Sequence, residues 1–140
     1  MTDSLEMSDI IPATPEEIYE VWLDSKKHSA MTGSPAVVDP EIGGKFTAWE
    51  DYIEGTIADL EPNHRIVQKW RTTDFTDDLP DSDLEILLDE APGGTKVTIV
   101  QSSLPEDQLA AYKLGWKDYY FEPMKAYFKK RKAVGKKAKK

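Results

Sequence analysis

The sequence predicts an α+β fold in which a curved antiparallel sheet wraps around a long C-terminal helix, with a further helix after the first strand. Three observations carry this. From 105 to about 132, large apolar residues recur every three or four positions: Leu109, Tyr112, Trp116, Tyr119 or Tyr120, Met124 and Phe128. Between Gly43 and Gln101 the hydrophobic period changes to two, as in half-buried strands. A helix bearing so many rings needs a broad apolar partner, and the alternating segments can supply one.

Taken in order, residues 5–11 suit a first strand, with Leu5, Met7 and either Ile10 or Ile11 turned inward. A helix start follows. Thr14 can cap, Pro15 fits the first helical position, and Glu17 completes a capping box. Ile18, Val21 and Trp22 form the buried face of a helix running to about Lys27, and residues 28–33 close it with Gly33 as the left-handed end. Residues 34–44, rich in Pro and Gly, read as loop.

Residues 45–49 and 53–60 read as a hairpin around Glu50-Asp51-Tyr52, in which Asp51 has to accept a positive φ. Glu61-Pro62-Asn63-His64 is a turn. Residues 65–72 form a strand with Ile66, Gln68 and Trp70 on one face. Residues 74–83 carry five aspartates and a proline and read as a mobile acidic loop. Residues 84–88 alternate again, residues 91–94 turn, and residues 96–102 return with Val97 and Ile99 inward. In the long helix, Pro105 suits the first position and Glu106 and Asp107 complement the dipole. Pro123 removes a donor inside that helix and crowds the carbonyl of Tyr119, predicting a kink between the two.

With 140 residues, 39% hydrophobic and 31% charged, the composition is that of one soluble globular domain. The absence of cysteine excludes disulfides, thiolate metal sites and thiol nucleophiles. No secretory signal and no membrane-spanning run is visible, so a cytoplasmic protein without membrane contact is expected. Residues 129–140 hold eight of the 18 basic residues and no acid. The remaining ten basic against 26 acidic residues leave positions 1–128 near −16. We therefore expect a domain at 1–128 and a lysine-rich disordered tail at 129–140. Such a body repels nucleic acid, leaving at most a weak phosphate contact through the tail. The tail has the composition of a nuclear-localisation or phosphate-binding segment, but a solubilising end is the simpler reading.

The run Gly43-Gly44-Lys45-Phe46, Glu54-Gly55, Leu60-Glu61-Pro62 and Ile66-Val67-Gln68-Lys69-Trp70-Arg71 resembles the activator of heat-shock protein 90 ATPase family, C-terminal-domain type. Leu104-Pro105 and Gly115-Trp116-Lys117-Asp118-Tyr119-Tyr120-Phe121 resemble it equally well, and the similarity spans about 12–128. The resemblance implies a helix-grip fold of the START and polyketide-cyclase superfamily, which commonly leaves an apolar cavity. In eukaryotic co-chaperones of the family, this domain follows a larger N-terminal domain that grips the chaperone's middle segment; about eleven residues precede the matched region here. Asp51 stands where the family often has a turn glycine, and Pro123 where a glycine is common in the helix.

The candidate site is the space between sheet and helix. Phe46, Trp70, Trp116, Tyr120 and Met124 could line a cavity or simply fill the core, and rings with polar ends suit an amphipathic pocket. Tyr112 joins them from the helix, and Ile57, Ile66, Ile86 and Ile99 from the sheet. Gln68 is the telling residue, since a buried amide without a partner costs ~1–3 kcal/mol and should meet a ligand, a tyrosine hydroxyl or water. His28 and His64 read as ordinary surface histidines. The aspartate loop lacks the alternating ligands and central glycine of a calcium loop. No cofactor motif, metal cluster or Ser–His–Asp set is visible. A binding domain for a small apolar ligand or a partner protein is the leading expectation. A stand-alone co-chaperone stimulating the heat-shock protein 90 ATPase is the alternative. A small cyclase- or hydrolase-like enzyme is kept by fold analogy alone.

Overall fold

The computed structural model describes Thr2 to Ala138, with side chains from Ser4 to Lys130. Seven strands form one fully antiparallel sheet in the order β1-β7-β6-β5-β4-β3-β2. The strands are β1 (Thr2–Ile11), β2 (Val37–Val38), β3 (Lys45–Ala48), β4 (Ile53–Glu61), β5 (Arg65–Thr72), β6 (Ser82–Ala91) and β7 (Gly94–Pro105). The helices are α1 (Pro15–Leu23), α2 (Ser25–Thr32), α3 (Leu109–Trp116) and α4 (Glu122–Ala138). Alternation along the central strands gives the sheet one buried face. On β5 it is Ile66, Gln68, Trp70 and Thr72; on β6 it is Ser82, Leu84, Ile86 and Leu88. The helices cover this face, and register breaks between Ile57 and Asp59 and between Asp3 and Leu5 add bend to β4 and β1.

The predicted capping box is present. The Thr14 hydroxyl accepts from the Glu17 N–H at 3.1 Å, and the Glu17 carboxylate accepts from the Thr14 N–H at 2.9 Å. The helix expected to reach Lys27 is instead two. Asp24, in extended conformation, ends α1 and caps α2 by accepting from the Lys27 N–H at 2.9 Å, as an Asp at a break can do for both sides. Gly33 closes α2 at φ 79°. Leu5 and Ile11 are buried, whereas Ile10 is exposed. The strands on either side of the 92–93 turn extend beyond the alternating cores of 84–88 and 96–102, because backbone pairing continues where the hydrophobic pattern stops. Gly55 allows close approach of neighbouring strands: a Cβ there would lie 1.7 Å from the Lys69 carbonyl oxygen.

The C-terminal rod is continuous but not uniform. A 3₁₀ turn at Glu106–Gln108 precedes α3, and Pro105 is the last residue of β7 rather than the first of the helix. Lys117–Phe121 forms a π-turn, with the Glu122 N–H reaching back to the Lys117 carbonyl. The irregularity lies just before Pro123, where the missing N–H would interrupt an α-helical ladder. Lys125 of α4 pairs with Asp9 of β1 at 2.6 Å and with Glu122 at 3.1 Å, tying the helix to the sheet edge. The backbone of α4 runs on to Ala138, through most of the segment expected as a disordered tail, while side chains beyond residue 130 and all of residues 139–140 lie outside the described residues. The acidic loop is anchored rather than loose. Phe75 is buried, and Arg71 holds the carbonyls of Thr76 and Leu79 and the carboxylate of Asp81.

Candidate functional site

At one end of the grip the sheet and helix part to leave a cavity of about 540 Å³. Three segments build it. The β3–β4 connection and the first residue of β4 supply Trp49, Tyr52 and Ile53, and the end of β5 with the loop after it supplies Trp70 and Asp74. The rod supplies Gln108, Tyr112, Trp116 and Tyr120, with Ala111, Gly115 and Tyr119 beside them at intervals of four.

The β3–β4 connection differs from the expected turn. Positive φ falls on Trp49 (53°) and Glu50 (62°), not on Asp51. Ala48 pairs with Ile53, so four residues bridge the strands, and the Glu50 N–H is taken by the Pro35 carbonyl at 3.0 Å. The left-handed pair aims the Trp49 ring at Tyr119, edge to face at 5.1 Å, where burial of the indole compensates backbone strain. The Trp49 N–H is buried without a hydrogen-bond partner. It lies close enough to the Tyr120 hydroxyl to oppose part of that group's burial-driven rise in pKa, yet outside hydrogen-bond geometry.

A closed set of hydrogen bonds forms the polar margin. Gln108 Oε1 can only accept, so Tyr112 donates to it at 2.6 Å and must accept from the Thr72 hydroxyl at 2.7 Å. Gln108 Nε2 donates to the Asp74 carbonyl at 2.9 Å, and the Asp74 N–H donates back to Thr72 Oγ1 at 3.1 Å. The Tyr52 hydroxyl donates to Asp74 Oδ2 at 2.6 Å. Burial raises the pKa of both tyrosines, so the hydroxyls stay protonated as donors.

Behind the wall, Trp116 Nε1 donates to Gln101 Oε1 at 2.8 Å, Gln101 Nε2 donates to Ser82 Oγ at 3.0 Å, and Ser82 donates to the Trp70 carbonyl at 3.1 Å. His28, expected at the surface, is buried. Its Nδ1–H donates to the Trp22 carbonyl at 2.9 Å, which leaves Nε2 to accept from the Tyr120 hydroxyl at 3.0 Å. Burial lowers the His28 pKa and keeps the ring neutral, as this tautomer requires. The extra helix α2 turns position 28 inward, a consequence of the Asp24 break. His64 is exposed.

Of the residues singled out from the sequence, Trp70, Tyr112, Trp116 and Tyr120 meet in the cavity wall. Phe46, Ile57, Ile66, Ile86, Ile99 and Met124 are buried elsewhere in the same core. Gln68 is 2% exposed, pairs with Ile57 and Leu84 across the sheet, and has no side-chain hydrogen bond among the described residues; it stands outside the cavity wall. Trp49, Tyr52 and Asp74 escaped sequence reading because turn and loop positions carry no periodicity. Gln101 could have been found, since it alternates in phase with Val97 and Ile99. Among the described residues no group of three His, Asp or Glu could hold a metal ion.

A seven-stranded antiparallel sheet gripping a C-terminal helix, with an aromatic cavity at their junction, defines a helix-grip domain. Residues 12–129 match the family model described as activator of Hsp90 ATPase homolog 1-like protein, and the chain belongs to that family. It is 27% identical over 127 residues to the human activator of 90 kDa heat shock protein ATPase homolog 1, covering 91% of this chain and 37% of the relative. It is 28% identical over 127 residues to the Dictyostelium discoideum activator homolog, covering 91% of this chain and 33% of that protein. The chain thus spans about a third of these relatives. Among solved structures, an HSP90 activator from Plasmodium falciparum aligns with TM-score 0.80 at 22% identity, covering 89% of this chain and 95% of that one. A Mesorhizobium loti protein aligns with TM-score 0.76 at 20% identity, covering 91% and 98%. Among the described residues no helix is long and apolar enough to cross a membrane.

Proposed function

We propose that this chain is a cytoplasmic binding domain that holds a small, largely apolar ligand between α3, the π-turn and the ends of β4 and β5. The observation that carries the reading is the cavity itself: about 540 Å³, within the range of small-molecule sites, and walled mainly by rings. Fixed polar groups at its margin suit orientation of a bound molecule. The hydroxyls of Tyr52, Tyr112 and Tyr120 are engaged in hydrogen bonds, and Asp74, the carboxylate of the wall, is exposed, an arrangement for holding rather than for moving protons. Trp49, Trp70 and Trp116 make the test direct. Titration with a panel of lipids and metabolites should shift tryptophan emission saturably, and a flat response across the panel defeats the reading.

A second reading, stimulation of a heat-shock protein 90 ATPase, is favoured by the names of relatives aligned over most of this chain. It is tested by adding the purified chain to the chaperone and measuring ATP turnover. An unchanged rate removes it, whatever the fluorescence titration shows.

A further inference from the structure

We infer that the ligand is an organic cation, with an ammonium group seated among the rings beside Asp74 and an apolar body filling the cavity. The inference rests on the ligand-binding reading above and narrows it by charge. Seven of the twelve lining residues are aromatic. The faces of tryptophan and tyrosine rings are electron-rich, and several converging on one space attract an ammonium group, tertiary or quaternary ones included.

The formal charge in the wall is one carboxylate, with no base to neutralise it. Asp74 Oδ2 accepts from Tyr52, and no ion pair forms at Asp74 among the described residues. Further acids lie close to the wall residues along the chain. Glu50 and Asp51 of the β3–β4 connection and Asp77 and Asp78 of the loop are exposed. The loop's neighbouring cation, Arg71, is committed to Asp81 at 2.8 Å and to two loop carbonyls, and it lies over the Phe75 ring at 5.5 Å. An anionic amphiphile entering here meets like charge at Asp74, whereas a cation is drawn toward it. Positions 1–128 add a field of the same sign, near −16 overall.

The test uses three molecules of matched shape and different charge on the full chain, followed by tryptophan fluorescence and calorimetry. Benzyltrimethylammonium is the cation, neopentylbenzene its uncharged isostere, and benzylsulfonate the anion. Cation–ring attraction predicts that the cation binds about 3- to 30-fold more tightly than the isostere, with the anion weakest. The variant Asp74→Asn, which keeps an acceptor for Tyr52, should bring the cation-to-isostere affinity ratio down several-fold. Raising salt should weaken the cation selectively. If the isostere binds as tightly as the cation, the charge inference falls and the cavity reading stands. If none of the three binds and the wider panel is also flat, both fall. A ratio unchanged in Asp74→Asn overturns the part assigned to the carboxylate.

Discussion

Removing the amide of Gln101 should uncouple the helix from the sheet at a single hydrogen bond. Gln101 is fully buried and Trp116 is 3% exposed, so neither group can turn to bulk water when its partner is lost. In Gln101→Leu, Trp116 Nε1–H loses its acceptor at 2.8 Å, and an orphaned buried donor costs ~1–3 kcal/mol. The other bond of the amide, to Ser82, matters less, because that hydroxyl still donates to the Trp70 carbonyl. Leucine regains part of the loss by burying apolar surface, which makes the single variant ambiguous on its own. The double-mutant cycle with Trp116→Phe removes the ambiguity, since phenylalanine has no N–H to strand. We expect a coupling of ~1–2 kcal/mol from urea unfolding followed by far-ultraviolet circular dichroism. On the per-kilocalorie scale for domains of this size, that is a difference of ~3–8 °C in Tm. A coupling below ~0.5 kcal/mol, the level at which independent sites add, would refute the claim that this bond joins the two layers.

Three other outcomes follow from the same packing. His28 is neutral in the fold because burial lowers its pKa, whereas the unfolded chain titrates near 6.5. The unfolded state therefore binds more protons below that value, so stability is full above it and falls as pH drops toward the folded pKa; His28→Gln should flatten the decline between pH 7 and 5 in denaturation curves. Gly55→Ala places a methyl 1.7 Å from the Lys69 carbonyl oxygen, backbone that cannot swing aside, so β4 and β5 must separate and thermal melts should show a loss of ~3 kcal/mol or more. Glu50→Gly relieves an exposed left-handed residue and should raise stability by up to ~1 kcal/mol, while Asp51→Gly should not, and equal gains at both positions would contradict the observed turn.

The comparison of those two turn variants shows where sequence reading reached its limit. Period and capping gave the strands, the inward face of β5 and the start of α1, because each depends on residues a few positions apart. Turn conformation depended on something distant. The Trp49 ring is aimed at Tyr119, seventy positions later, and the left-handed backbone follows from that contact. His28 teaches the same lesson. A single Asp at position 24 divides the helix and rotates the imidazole into reach of Tyr120, ninety-two positions away. Pro123 was legible as a local fault, and the π-turn before it is how the rod absorbs that fault while keeping Tyr120, Met124 and Phe128 in the core.

By itself the sequence determined the architecture: which segments alternate, which carry a helical stripe, and hence an antiparallel sheet around a terminal rod. Burial of a face is enforced by spacing along the chain, and spacing is written in the chain. Tertiary structure decided where that packing stops short. Phe46, Met124 and four isoleucines close ranks, while Trp49, Tyr52, Asp74 and Tyr119 meet around an opening. A cavity is a difference between facing surfaces, set by curvature, a π-turn and a strained connection together, and no single segment contains it.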